Sequence, residues 1–268
     1  MNRLALKLTA LIWACLAAGL SIFGLDGCHS EDERLVEATF EKNYPVNPDV
    51  RISIKNTDGS IRIYGADTTE VKLQAIKKAY QQDRLDKIVI NVTASPTSVS
   101  IDTVYPPKPK VALSDRSGTV EYVVVVPLTC TITRLDLSNG EVQVDGMRGK
   151  VAANLVNGRM FDHNGFGEHE LFVANGALDI INDWWEHAKF SFEAKIVNGN
   201  LRASVPADAS FHVYAATMDG NIANDFTEAE KRQTGEVHKV DAIVGNSALT
   251  DIRLQATHGS IHIIAANP

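Results

Sequence analysis

Three cysteines in 268 residues, Cys15, Cys28 and Cys130, are too few for a disulfide framework, and no Cys-x-x-Cys pair is present to hold zinc or run thiol exchange. Other catalytic signatures are missing as well. The chain has no Gly-x-Ser-x-Gly elbow, no phosphate-binding glycine loop and no calcium-binding Gly-Gly-x-Gly-x-Asp repeat. His169-Glu170 begins like a zinc-protease motif, but Leu171-Phe172-Val173 follows and the second histidine is lacking. A basic stripe is also absent: the net charge is −7, and Lys72, Lys77 and Lys78 sit near Asp83 and Asp86 as a solvated face. A nucleic-acid partner is therefore not expected. Apolar residues at 44% and charged residues at 22% describe an ordinary globular chain, neither disordered nor multi-spanning. No catalytic residue, metal or cofactor is expected.

The first residues read as a targeting segment. Arg3 and Lys7 precede an uncharged, mostly apolar run from Leu8 to Leu25. Leu25-Asp26-Gly27-Cys28 resembles the lipobox of bacterial lipoproteins, with Asp26 at an unusual place. Two readings stand: cleavage after Gly27 with lipid on Cys28, or retention of the apolar run as a signal anchor. Both place the following residues outside the cytoplasmic membrane, so the expected location is the bacterial cell envelope, with the membrane as a partner through Cys28. Cleavage would remove Arg3, Lys7 and Asp26, leaving a mature chain one charge more negative and repelled by anionic headgroups. Cys130 would be its sole thiol, a buried one by its place in an alternating segment. Residues 28–49 read as a tether followed by a first strand near Leu35–Phe40.

What the sequence has in abundance is one small pattern. Gly59, Gly140, Gly158, Gly176, Gly199, Gly220 and Gly259 follow Asp58, Asn139, Asn157, Asn175, Asn198, Asp219 and His258, with alternating apolar residues on both sides. The steps from Gly140 to Gly220 are 18, 18, 23 and 21 residues, and the last, of 39, equals about two more periods. Glycine supports the positive φ of a tight corner, and spacing of two puts the apolar residues on one strand face. Two all-β architectures fit. Asn-Gly corners can close two-residue hairpins in a meander or sandwich, or each period can be one coil of a β-solenoid with like stacked on like, its asparagines sharing hydrogen bonds. Residues 71–126 interrupt the pattern as an irregular β-rich elaboration, with a possible helical turn at Ala79–Leu85 and an apolar run, Val120–Val126, suited to burial on both faces. The repeat array spans 130–266.

The strings Ile54-Lys-Asn-Thr-Asp-Gly-Ser-Ile-Arg-Ile63, Leu135-Asp-Leu-Ser-Asn-Gly-Glu-Val-Gln-Val144 and Ala216-Thr-Met-Asp-Gly-Asn-Ile222 resemble bacterial "putative adhesin" domains, similar to the "head GIN" type. The resemblance covers residue 50 to the C-terminus. It implies a β-solenoid with a binding or structural role and carries over no catalytic residue.

Three places depart from the repeat and are candidates for chemistry. His163, Glu168 and His169 surround a glycine-rich turn and could converge on a metal. Asp179 and Asp183 could act as the acidic pair of a glycan hydrolase, the alternative to a non-catalytic module. The 23-residue step carries Trp184, Trp185, Glu186 and His187, expected in a protruding loop with one tryptophan inward and one exposed to a glycan or an envelope protein. Ser260–Ala265, expected as an uncapped terminal coil, could support end-to-end self-association.

Overall fold

Alternation of period two on both sides of each corner glycine makes long strands that bend in the middle. The computed structural model describes residues 35–107, 118–226, 238–246 and 249–266; the leader, Cys28 and the start of the tether lie outside them. Its elements are β1 (Val36–Pro45), β2 (Arg51–Ala66), β3 (Glu70–Ala79), α1 (Gln82–Asp86), β4 (Val89–Ser95), β5 (Ser98–Val104), β6 (Thr119–Pro127), β7 (Thr131–Asp145), β8 (Val151–His163), β9 (Glu168–Ile181), β10 (Ser191–Pro206), β11 (Phe211–Asp219), β12 (Ile222–Asn224), β13 (Lys239–Val244), β14 (Asp251–His258) and β15 (Ile261–Ala266). All fifteen strands belong to one sheet. Among the described residues no helix is long and apolar enough to cross a membrane.

The two legs of a repeat do not pair with each other, as hairpin legs would. Each pairs in parallel with the same leg of its neighbours, so Asn139, Asn157, Asn175 and Asn198 align with one another. The hairpin meander is thereby excluded for the repeat. The corner glycines have φ from +127° to +147° and form a column. A Cβ on Gly158 would lie 1.8 Å from the Gly140 carbonyl oxygen, and one on Gly176 would lie 1.7 Å from that of Gly158. Glycine is thus required twice, by the backbone angle and by the close stacking. Beside this column the asparagines form a ladder. Asn139 Nδ2 donates to Asp58 Oδ1 (2.7 Å), Asn157 to Asn139 (2.9 Å), Asn175 to Asn157 (3.0 Å) and Asn198 to Asn175 (2.8 Å).

The bend turns the apolar rows of both legs into one core. Ile52, Ile54, Ile61 and Ile63 of β2 join Leu135, Leu137, Val142 and Val144 of β7 and their counterparts along the array. Burial at about 25 cal/mol per Å² of apolar surface makes these rows the main source of stability. Asp162 breaks the row without shifting register, since it faces Ile180 and is buried.

The segment 71–126 proves less irregular than its sequence. β5 pairs in parallel with the first leg of β2 and β6 with the second, adding a layer to the array. β3 joins β6 to β1 antiparallel, so β1, longer than the expected first strand, is part of the sheet. From Thr119 to Val126 of β6 only alternate residues are buried. The apolar run is covered by β2 and β3 along its edges rather than on both faces, which corrects the expectation for Val120–Val126.

The C-terminal repeat is not terminal in space. β14 lies between β10 and β11, and β15 between β10 and β12. Gly259 stacks on Gly199, and Gly220 on Gly259. Of the described residues in the 39-residue step, Lys239–Val244 form β13, antiparallel on the far side of β11, and not a further parallel layer. Ile261–Ile263 is paired on both sides, by β10 and by β12, and Ile264–Ala266 by β10.

Candidate functional site

Loops joining one repeat to the next lie at the strand ends away from the corners: 146–150, 164–167 and the longer 182–190. A second glycine column helps pack them. A Cβ on Gly149 would lie 1.8 Å from the Cys130 carbonyl oxygen, and one on Gly167 would lie 2.0 Å from that of Gly149. Gly149 and Gly167 are 18 residues apart, the same step as Gly140 and Gly158, and that period was the signal available in the sequence.

The 23-residue step opens into the longest of these loops. Trp185 is half-buried, its ring 5.0 Å from Phe190 and 5.5 Å from Phe211. Trp184 remains 49% exposed and lies on Phe166 at 5.4 Å with the ring planes 35° apart. Phe166 meets Phe190 edge-on at 5.4 Å, so the exposed indole continues an aromatic cluster rooted in the core. The carboxylate of Glu186 is held by two guanidinium nitrogens of Arg148 (2.8 and 2.5 Å), and Arg148 also lies over the Phe166 ring. Trp184 Nε1 donates to Glu186 at 3.5 Å. His187 is exposed. Alongside runs an open groove of about 490 Å³ lined by Phe166, Phe190, Arg148, Lys150, Lys189 and Asp251 among others. Arg148 and Phe166 had no mark in the sequence, because only the stacking of three consecutive repeats brings them to Trp184.

The proposed metal trio does not converge. His163 sits at the surface between Asp145 (3.2 Å) and Asp183 (2.7 Å), Glu168 pairs with Lys150 (3.0 Å), and His169 is wholly buried with its Nδ1 on Asp162 Oδ2. No group of three or more His, Cys, Asp or Glu suited to a metal occurs among the described residues. Burial acts to lower the His163 pKa, but Asp145 and Asp183 outweigh it and raise the imidazole above its ordinary value. Asp183 in turn is held below the usual carboxylate value, chiefly by the Asn164 amide and also by His163.

The buried pair explains Asp162. An aspartate in a core row is tolerated because His169, in an inward row of the next repeat, meets it and packs edge-on against Phe192 at 5.5 Å. Asp162 Oδ1 and His169 Nε2 find no partner among the described residues. The acidic pair is likewise separated by its partners: Asp179 is bound by Arg202 (2.8 Å), whereas Asp183 belongs to His163 and Asn164. Burial pushes the Cys130 thiol up to about 12, which leaves it protonated and inert.

No family model and no curated protein matches the chain. Among solved structures it is similar to a "putative cell adhesion protein" from Clostridium sporogenes, with 15% identity, a TM-score of 0.48 and coverage of 85% of this chain and all of the other. A "putative adhesin" from Bacteroides fragilis shares 12% identity at a TM-score of 0.27, over 85% of this chain and 97% of that one. A "putative lipid binding protein" from Parabacteroides distasonis shares 9% identity at 0.27, over 87% and 95%.

Proposed function

We propose that this chain is a non-catalytic binding module of the bacterial envelope. In this reading a β-solenoid is held at a membrane through lipid on Cys28 and presents the Trp184 surface to a glycan or an envelope protein. The observation that carries it is the half-exposed indole of Trp184, backed by Phe166 and fixed by the Arg148–Glu186 pair. An aromatic face held rigid in water suits the C–H face of a sugar ring or an apolar side chain, because little ordering remains to be done on binding. The carbohydrate-active alternative has less support, since Asp179 and Asp183 are each engaged by other groups.

The test is binding of the folded protein to envelope polysaccharide, followed by affinity electrophoresis, with envelope protein extract as the second arm. Trp184→Ala should weaken whichever interaction is found by about tenfold, the loss of one aromatic contact of ~1.4 kcal/mol, with the fold intact because Trp184 is exposed. Binding unchanged by Trp184→Ala would remove this surface from the reading. Trp185→Ala is less informative, because Trp185 also packs on Phe211.

A further inference from the structure

The short stretch that bears Trp184 is tied down on both sides. His163 ends β8, in register with Asp145 of β7 on one side and Ile181 of β9 on the other. Two residues beyond Ile181, Asp183 meets the same imidazole. Nδ1 of His163 lies 3.2 Å from Asp145 Oδ2, and Nε2 lies 2.7 Å from Asp183 Oδ2. Asn164, at φ +51°, completes the junction: its Oδ1 accepts from Asp183 N (2.9 Å) and its Nδ2 donates to Asp183 Oδ2 (3.2 Å). Trp184 follows directly. Its other side is held by Glu186, which accepts from the indole and is fixed by Arg148. The exposed indole is thus suspended between two ties, one ending on Arg148 and one on His163.

Carboxylate oxygens only accept hydrogen bonds. An imidazole can satisfy one at each nitrogen only as the imidazolium, with both nitrogens protonated. The neutral ring has a single N–H, and the positive charge that held both carboxylates is gone. Asn164 Nδ2 lies 3.2 Å from Nε2 and can donate to it once its proton has left, at the expense of its bond to Asp183. The junction therefore has two arrangements, one for each charge state of the ring. Burial acts to lower the His163 pKa, but Asp145 and Asp183 outweigh it and raise it; Asp183 is held below the usual carboxylate value, chiefly by Asn164 and also by His163. The bridge is complete between those two values and slackens as pH rises through that of His163. The row continues with Tyr64 beyond Asp145 and with Ile181 and Ser204 on the other side, so the two aspartates are the charged groups that face the ring.

We propose that His163 is a positioning residue for the Trp184 surface: bridging Asp145 and Asp183 as an imidazolium, it fixes the stretch from which the indole projects, and loss of its proton loosens that stretch and weakens binding. The inference rests on Trp184 being the binding surface, but its first test does not.

That test follows the indole signal of Trp184, assigned by its absence from Trp184→Phe, and the His163 ring by NMR of the full chain without ligand, from about pH 5 to about pH 9. The expected result is one shared midpoint above the ordinary histidine value of about 6.5. A Trp184 signal that stays still while His163 titrates overturns the proposal. Asp145 is on β7, outside the 182–190 loop, and Asp145→Asn should move both midpoints down together. A Trp184 step that keeps its place while that of His163 moves also overturns it. His163→Gln, which does not titrate, should abolish the step, and a step retained in that folded variant counts against the proposal in the same way. Affinity for envelope polysaccharide or envelope protein should then fall several-fold as pH rises across the midpoint. Binding that is lost in Trp184→Ala yet constant across the midpoint overturns the proposal. Where the midpoints coincide but Trp184→Ala leaves binding unchanged, the positioning by His163 is upheld and the binding reading of the surface alone fails.

Discussion

At the scale of single residues the corner glycines carry two demands that substitution can separate. Gly158 has φ +137° and its Cβ would meet the Gly140 carbonyl, whereas Gly146 has φ +69° with no atom nearer than 3.5 Å to a built Cβ. Gly146→Ala should therefore cost only the left-handed backbone conformation, about 1–2 kcal/mol. Gly158→Ala must also push two stacked strands apart and should cost about 4 kcal/mol or more, read from urea unfolding midpoints at constant slope. Equal losses at the two sites would show that stacking adds nothing to the backbone term. Asp162 shows the opposite case, an apparent fault in the pattern that is a partnered core residue. In the sequence it is only a gap in an apolar row, because its partner, His169, belongs to the following repeat.

The elements are held to one another by side-chain ladders as well as by backbone. His212 on β11 bonds Asp251 at the start of β14 and Asp241 on β13, so one imidazole spans three strands. The Asp251 hydrogen bond and then that to Asp241 raise its pKa against a smaller opposing effect of burial. A raised histidine pKa means that the folded state holds the proton more tightly. This contribution is complete below the unfolded value of about 6.5 and is lost as pH rises through the folded value. Asp251→Asn should bring the His212 titration, followed by NMR, down toward 6.5 and flatten the dependence of Tm on pH over that window. A titration curve unmoved by the substitution would mean that the contact does not persist in solution. At this scale the sequence was a good guide to the strands, β5 and β6 included, and a poor one to how β5 and β6 pair. Their pairing with the two legs of β2 is hidden because no Asn-Gly or Asp-Gly pair stands between them in the sequence.

For the molecule as a whole, the inserted arch makes the far end of the array depend on β14. Leu254 is fully buried, with Ala194 and Ala215 as its neighbours in register. Leu254→Ala should lower stability by about 2–4 kcal/mol. Since each layer depends on its neighbours, the loss should appear in hydrogen exchange first in β11, β13, β14 and β15, with β7 to β9 protected. Uniform acceleration across all strands would instead indicate a single cooperative unit. The Trp184 surface also belongs to this scale. Its tryptophans and the lengthened step were visible in the sequence, but Arg148, Phe166 and Trp184 come from three different inter-repeat loops and meet only because the repeats are stacked.

Positive φ at a corner and alternation along a strand are properties of a few consecutive residues. The sequence by itself therefore determined where the chain bends, which side chains face inward and which asparagines can share a ladder. Which edge each repeat pairs with is another matter. Every repeat presents nearly the same parallel edge, corner glycine and apolar row, so the local chemistry is almost degenerate among possible neighbours. Only the tertiary structure, in which corner glycines stack against one another and asparagines bond from repeat to repeat, decided that legs stack in parallel rather than close as hairpins. It also decided that the arch ending at Ala266 sits inside the array, between strands that precede it in the chain.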